Sequence, residues 1–220
     1  MNKPTVISLG GSVMNPNEVD TNAIKEFIEV TKNSNPNTPL IIVVGGGSSA
    51  RKYQQALKDI NITDHSKLDW MGIKATYLNA ELVRYCMNIK DPVIHDPSNP
   101  PKLKPILIAS GWKPGWSTDY VAVTLAKAYE ADRVINLTNT AYVYDKDPKK
   151  ENAKPLKDIS YSEMKKLVGD TWTPGLNMPF DPIAVKLASE SNLKIYIAKG
   201  MKNLSLILSN QEFEGTVLHN

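Results

Sequence analysis

Three consecutive glycines, Gly45, Gly46 and Gly47, run into Ser48, Ser49, Ala50 and Arg51 and make this stretch well suited to hold an anion. Without a Cβ, glycines let an anion approach the backbone N–H groups, and such groups collect where a helix begins. Ser48 or Ser49 could cap that helix. Arg51 would fall one turn in, where its planar guanidinium could grip a phosphate with two bonds. The implied chemistry is a cradle for a phosphoryl group; a plain glycine turn with a solvated Arg51 is equally compatible with these residues alone. Their spacing matches neither G-x-G-x-x-G nor G-x-x-x-x-G-K-[ST]. A second glycine pair, Gly10 and Gly11 before Ser12, could face the same cleft. A third stretch, SGWKPGWSTD at residues 110–119, is dense in turn chemistry. There Ser117 or Thr118 would cap a helix, Asp119 would sit in its first turn, and Trp112 and Trp116 are either stacking platforms for a base or plugs in a subunit contact. Asp69, Thr76 and Asn79 recur at nearly helical spacing and either converge on a ligand or form a solvated face. Asp147 could accept from a ribose hydroxyl with Lys149 or Lys150 near a phosphate, or this Asp-Pro-Lys-Lys run is an exposed turn.

The elements that must position these groups alternate. Leu40–Val44 is apolar without period-two alternation, as in a strand buried on both faces of a parallel sheet. Thr5–Leu9, Ile106–Ala109, residues 134–138, residues 194–198 and residues 216–218 read as further strands, with a short hairpin over residues 142–147. Asp20 caps a helix from Thr21 with Ile24, Phe27 and Ile28 inward. A helix opens near Ser48, and after a polar loop at residues 60–66 a longer one carries Leu68, Met71, Ile73, Leu78, Leu82 and Cys86 as its apolar members. Further helices are expected over residues 119–131, from the Ser160–Glu163 capping box to Val168, from Asp181 with Pro182 at the first position, and over residues 203–208. Residues 169–180, with Trp172, Pro174 and Gly175, read as a loop. This order predicts a mainly parallel α/β sheet with ligands at the carboxyl edge of its strands.

At 220 residues and 41% hydrophobic content the chain is read as one domain with a sizeable core. A net charge of +3 with dispersed basic residues gives nucleic-acid binding little support but suits an anionic small molecule. The single cysteine, Cys86, rules out an intrachain disulfide and is expected to be a packed thiol. Nothing near the start resembles a signal peptide and no apolar run approaches a membrane span, so a cytoplasmic, membrane-free setting is expected.

Taken together and in order, Leu9-Gly10-Gly11-Ser12-Val13, residues 45–51, Leu68-Asp69-Trp70-Met71-Gly72-Ile73, Thr76-Tyr77-Leu78-Asn79-Ala80, Pro114-Gly115-Trp116-Ser117-Thr118-Asp119, Asp147-Pro148-Lys149-Lys150, Asp181-Pro182-Ile183-Ala184-Val185-Lys186 and Gly215-Thr216 resemble the amino-acid kinase superfamily. Within it they are most similar to the uridylate kinases of the archaeal type. The resemblance implies a three-layer α/β/α sandwich as a single domain over residues 1–220, with acceptor binding in roughly 1–130 and ATP binding in roughly 131–220. It implies transfer of the ATP γ-phosphoryl group to UMP, giving UDP and ADP for pyrimidine biosynthesis, with ATP and Mg²⁺ required and no protein metal-ligand set assigned. Gly46 and Asp69 would contact UMP, and Trp112, Lys113, Pro114, Gly115, Trp116, Ser117 and Thr118 would line its site. Gly10, Gly11 and Ser12 would hold the ATP phosphates, Gly47 and Arg51 the transferring group, and Thr138, Asn139, Tyr144 and Asp147 the rest of ATP. Arg51 and Lys186 are the candidate catalytic cations. A homo-oligomer, a hexamer by resemblance, is implied. Three departures stand out. Ser8 replaces a lysine common in the superfamily, leaving Lys186 or Lys149 to compensate; Trp112 and Trp116 occupy the acceptor loop; and Thr140-Ala141-Tyr142-Val143-Tyr144 stands in place of Val-Asp-Gly-Val-Tyr. A paralogous kinase with another acceptor and a non-catalytic nucleotide or anion binder are the competing readings.

Overall fold

The computed structural model describes residues 2–148, 150–169 and 179–220. The expected loop at 169–180, with Trp172, Pro174 and Gly175, lies in greater part, and Lys149, one of the two lysines offered for a phosphate, lies wholly, outside the described residues. In chain order the elements are β1 (Thr5–Leu9), α1 (Gly11–Met14), α2 (Thr21–Lys32), β2 (Leu40–Val44), α3 (Gly47–Asp59), α4 (His65–Cys86), β3 (Ile106–Ala109), α5 (Thr118–Ala128), β4 (Arg133–Thr138), β5 (Val143–Tyr144), β6 (Pro155–Leu156), β7 (Asp158–Ser160), α6 (Tyr161–Val168), α7 (Pro182–Glu190), β8 (Lys194–Lys199), α8 (Met201–Leu208) and β9 (Gly215–His219). Among the described residues the main sheet has seven strands in the order β3-β2-β1-β4-β8-β9-β7. Pairing is parallel from β3 through β8 and between β9 and β7; the β8–β9 pair is antiparallel, so β9 and β7 run against the other five strands. β5 and β6 form a separate antiparallel hairpin.

The unbroken apolar runs are explained by two cores, one on each face of the sheet. Val6, Ile41, Val43 and Leu107 pack with Val121, Leu125, Ala184 and Val185 of α5 and α7 on one side. Their chain neighbours Ile7, Leu40, Ile42 and Ile108 pack with Phe27, Val83 and Leu204 of α2, α4 and α8 on the other. Alternate side chains go to opposite faces of a strand, so a strand covered twice needs apolar residues at every position. The result is the three-layer α/β/α arrangement, with the parallel strands β1 to β4 all emptying their carboxyl ends along one edge.

Local rules account for the helix ends. Asp20 accepts from the N–H groups of Asn22 and Ala23, Ser160 and Glu163 form a reciprocal capping box, and Asp181 caps α7 with Pro182 following. Asn61, Asn88, Asn192 and Asn210, just past α3, α4, α7 and α8, take positive φ, the backbone turn that ends a helix and that asparagine tolerates. Two expectations for α4 are corrected. Leu78 is 70% exposed and Cys86 is exposed rather than packed. The buried face of α4 is instead shared by Leu68, Ile73, Ala80 and Val83 with three polar residues, Asp69, Thr76 and Asn79.

Candidate active site

The turns after β1 and β2 are pressed together. A Cβ on Gly11 would lie 2.0 Å from the Gly47 nitrogen, so only glycine fits there. Gly47 has φ +62, and a Cβ on it would meet the carbonyl oxygens of Asn15 and Gly11, each at 2.5 Å. Gly10 is fixed by its N–H bond to the Leu137 carbonyl, 2.9 Å, and Gly45 by its bond to the Leu9 carbonyl, 3.0 Å. The first N–H groups of α1 and α3, which have no partner within their own helices, thus start from adjoining glycine turns. The expected serine cap of α3 is absent. The N-cap is Gly46, which makes no side-chain cap bond; Ser48 donates its hydroxyl to the Asn15 amide oxygen at 2.5 Å, and Ser49 accepts from the Asn15 amide nitrogen at 2.8 Å. Arg51 is exposed on the first turn of α3 and donates to the Pro16 carbonyl at 2.8 Å.

Helix α4 holds these turns from below. Asn79 donates to the carbonyls of Gly45 (2.8 Å) and Gly46 (3.0 Å). Thr76 accepts from the Gly111 N–H at 2.8 Å, and Asp69 accepts from the Gly115 N–H at 2.8 Å. The three polar residues do converge, and what they hold is backbone: two side chains fix the loop after β3, and the third fixes the turn after β2. Burial pushes the Asp69 carboxyl above its ordinary range, opposed by the Gly115 N–H and the nearby His65. The carboxylate is thereby held at the mouth of the loop, with Gly115 at φ +90 beside it.

In that loop Trp112 is half-buried against the core, Trp116 lies on Tyr120 with centroids 4.1 Å apart, and Lys113 Nζ sits 3.9 Å over the Trp112 ring. The two tryptophans are 6.1 Å apart and supported within their own chain. Ser117 caps α5 by accepting from the Tyr120 N–H; α5 starts at Thr118 and ends at Ala128, three residues short of expectation.

Sequence reasoning missed the pair of carboxylates behind the first glycine turn. Asp119 accepts from the Ser8 hydroxyl at 3.1 Å, and the Ser117 hydroxyl donates to Asp181 in a short hydrogen bond. Burial pushes the Asp119 carboxyl up to about 7, with the negative charge of Asp181 adding to the effect and the Ser8 bond opposing it. Asp181 is raised as well, by burial, against bonds from Ser117, Ile183 and Ala184. The only signal in the sequence was local: each aspartate looked like a helix-start residue, and nothing in a 62-residue separation says that they meet.

On the other side of the edge, Thr138 ends β4 and Asn139 follows it exposed. Tyr144 lies in the β5–β6 hairpin, with Tyr142 edge-on at 6.4 Å, and Asp147 is exposed in the connection between the hairpin strands. Thr216 ties this hairpin to β9: it accepts from the Val143 N–H at 2.9 Å and donates to the Leu156 carbonyl at 2.5 Å. Lys186 is exposed on α7, away from the buried Ala184 and Ala188, and among the described residues no hydrogen bond or ion pair brings it to the glycine turns. Among the described residues, no three His, Cys, Asp or Glu side chains gather as a metal site, and no helix is long and apolar enough to cross a membrane.

Comparison with known proteins places this geometry. Residues 3–96 and 104–199 match the model of the "Amino acid kinase family". The uridylate kinase of Methanococcus aeolicus is 32% identical over 223 residues, covering 97% of this chain and 98% of its own. That of Pyrococcus abyssi is 36% identical over 200 residues, 87% of this chain and 88% of its own. Among solved structures, the uridylate kinase from Archaeoglobus fulgidus superposes with a TM-score of 0.82 at 30% identity, covering 98% of this chain and 99% of that one. The UMP kinase from Ureaplasma parvum, at 20% identity and a TM-score of 0.79 over the whole of both chains, shares the fold. With family model, full-length relatives and sheet topology in agreement, this chain belongs to the amino acid kinase family.

Proposed function

We propose that the chain is a nucleoside-monophosphate kinase that transfers the γ-phosphoryl group of ATP to UMP, yielding UDP and ADP. The single observation that carries the reading is the direct packing of the two glycine turns, with Arg51 one turn into α3. In-line transfer between two phosphates calls for positioning and charge neutralisation rather than a strong base. Two sets of helix-start amides held against each other supply the first, and Arg51 supplies part of the second once it leaves the Pro16 carbonyl for the transferring group. In this reading Gly10, Gly11 and Ser12 hold the donor phosphates, Gly47 with Arg51 the transferring group, and Gly46 the acceptor. Asp69 takes a nucleoside hydroxyl while its other oxygen keeps the Gly115 N–H, and the loop from Trp112 to Thr118 walls the acceptor. Thr138, Asn139, Tyr144 and Asp147 serve ATP.

Mg²⁺ fits this edge by donor chemistry, because Asp119 and Asp181 offer hard oxygen ligands beside a site that would bind phosphates, and the ion would neutralise phosphate charge there. The continuous sheet supports one domain, with acceptor residues roughly in 1–130 and ATP residues roughly in 131–220. A cytoplasmic role in pyrimidine biosynthesis and a homo-oligomeric state, hexameric by resemblance, belong to the same proposal; the apolar Trp70, Leu78 and Tyr85 exposed along α4 are the kind of surface that subunit contacts cover.

The test is ADP production from Mg-ATP with UMP, CMP, dUMP, AMP and no acceptor, run side by side. UMP-dependent turnover supports the reading. Turnover with a different acceptor alone would replace UMP, and turnover with none of them, despite nucleotide binding, would overturn the enzyme assignment.

A further inference from the structure

The segment between the first glycine turn and α2 is tied to α3 by five hydrogen bonds of two kinds. Two come from long, exposed side chains: Arg51 to the Pro16 carbonyl at 2.8 Å and Lys52 Nζ to the Asn17 carbonyl at 2.6 Å. The other three involve Asn15, which is 1% exposed. Its carbonyl accepts from the Ser48 N–H at 2.8 Å, its amide oxygen accepts from the Ser48 hydroxyl at 2.5 Å, and its amide nitrogen donates to the Ser49 hydroxyl at 2.8 Å. Ser48 is buried too, at 5% exposure.

The two kinds differ in what they can tolerate. A surface cation can exchange a carbonyl for water or for a phosphate at small cost. A buried amide that loses its partners is left with unsatisfied polar atoms, so its bonds persist. If Arg51 moves to the transferring phosphoryl group, as the proposed function requires, its hold on Pro16 is given up and the Asn15 bonds remain. They sit where they matter most. Asn15 directly follows α1, which opens at Gly11, and Ser48 and Ser49 directly follow Gly47, so the Asn15 carbonyl joins the two segments through their backbones and its side-chain amide joins them again through the two serine hydroxyls.

We propose that Asn15 is a positioning residue for phosphoryl transfer: its side chain locks the turn after β1 onto the start of α3 and so sets the separation of the two phosphate-holding turns while Arg51 is engaged elsewhere. The inference rests on the kinase reading above and adds a residue that touches neither nucleotide. It also assigns a purpose to Ser48 and Ser49, whose hydroxyls meet the Asn15 amide instead of capping α3.

The experiment compares steady-state kinetics of UMP-dependent ADP formation in wild type, Asn15→Ala, Ser49→Ala and the double variant, each assayed well below its own melting midpoint. Since a displacement of about 1 Å at reacting groups can cost on the order of 100-fold, Asn15→Ala should lower kcat by about tenfold or more while the KM values for ATP and UMP stay within about threefold. Ser49→Ala removes one of the bonds and should show a smaller loss of the same kind. The double variant should be no slower than Asn15→Ala, because both changes break one lock. A folded Asn15→Ala enzyme with wild-type kcat, a loss confined to KM, or losses that simply add in the double variant would each overturn the role. A wild-type protein without UMP-dependent turnover would bring down the kinase reading and this inference with it, whereas normal wild-type turnover with an unaffected Asn15→Ala variant would remove the inference alone.

Discussion

The acceptor side and the donor side of the strand edge are built differently. On the acceptor side, backbone turns are gripped by buried side chains, Asn79 on Gly45 and Gly46, Thr76 on Gly111 and Asp69 on Gly115, and the Ser48 hydroxyl is held by the buried Asn15 amide. On the donor side the hairpin of β5 and β6 is joined to the sheet through Thr216, and its candidate nucleotide contacts, Asn139 and Asp147, are exposed. The first region presents a shape fixed before any ligand arrives, and the second presents side chains. Preorganised groups contribute most where charge develops and must not reorganise, while a contact made by an exposed side chain is worth less. Changes that alter the acceptor-side backbone should therefore act on fold and rate together, and changes on the donor side should act on affinity for one substrate.

The largest effect is expected from Gly47→Ala. A side chain there needs an unfavourable positive φ and collides with two carbonyl oxygens at 2.5 Å. Urea unfolding should show a loss of at least about 2 kcal/mol, with turnover falling alongside it. An alanine variant of wild-type stability would mean that the turns are not packed as described.

Asp119 lies between the two regions and gives a pH-dependent test. Its folded carboxyl is raised to about 7 from the ordinary 3.8 of a solvated aspartate, so between those values the folded chain holds more protons than the unfolded one. This residue's contribution to stability therefore falls as pH rises through that window and is flat above it. Asp119→Asn removes the dependence. Relative to wild type its free energy of unfolding should gain on the order of 1–2 kcal/mol as pH goes from about 4 to about 7. A wild-type-minus-variant difference that does not change with pH would show that burial and Asp181 do not raise this carboxyl. The smallest effect belongs to the donor side: Asp147→Ala should raise the KM for ATP by a few-fold, about 1 kcal/mol or less, with the UMP KM and the melting midpoint unchanged. A collapse of kcat in that variant would erase the contrast between the regions.

What could be read beforehand follows the range of the interactions. Strands ending in glycine turns, the Asp20 and Ser160 caps and the Pro182 helix start depend on neighbours within a few residues, and they stand where the sequence places them. The partners of Asn15, Asp69, Asn79, Asp119 and Asp181 lie 33 to 111 residues away, and no local pattern announces them. Helix α4 shows the cost of reading periodicity by polarity alone. Because Asp69, Thr76 and Asn79 take places on the buried face to bond the loops, apolar Leu78 is turned outward, and Cys86, at the last turn, is exposed. Arg51 was legible as a cation beside the glycine turn, but not its bond to Pro16, which depends on how a separate loop folds over α3.

The most direct test of the account is UDP formation from Mg-ATP and UMP by wild type and Arg51→Ala, measured together with their melting midpoints. Removing a charge from the transferring group while leaving the buried braces in place should cut turnover by roughly 100-fold or more with the midpoint unchanged. Equal UDP formation by the two proteins would contradict the claim that the paired glycine turns and Arg51 form the phosphoryl-transfer site.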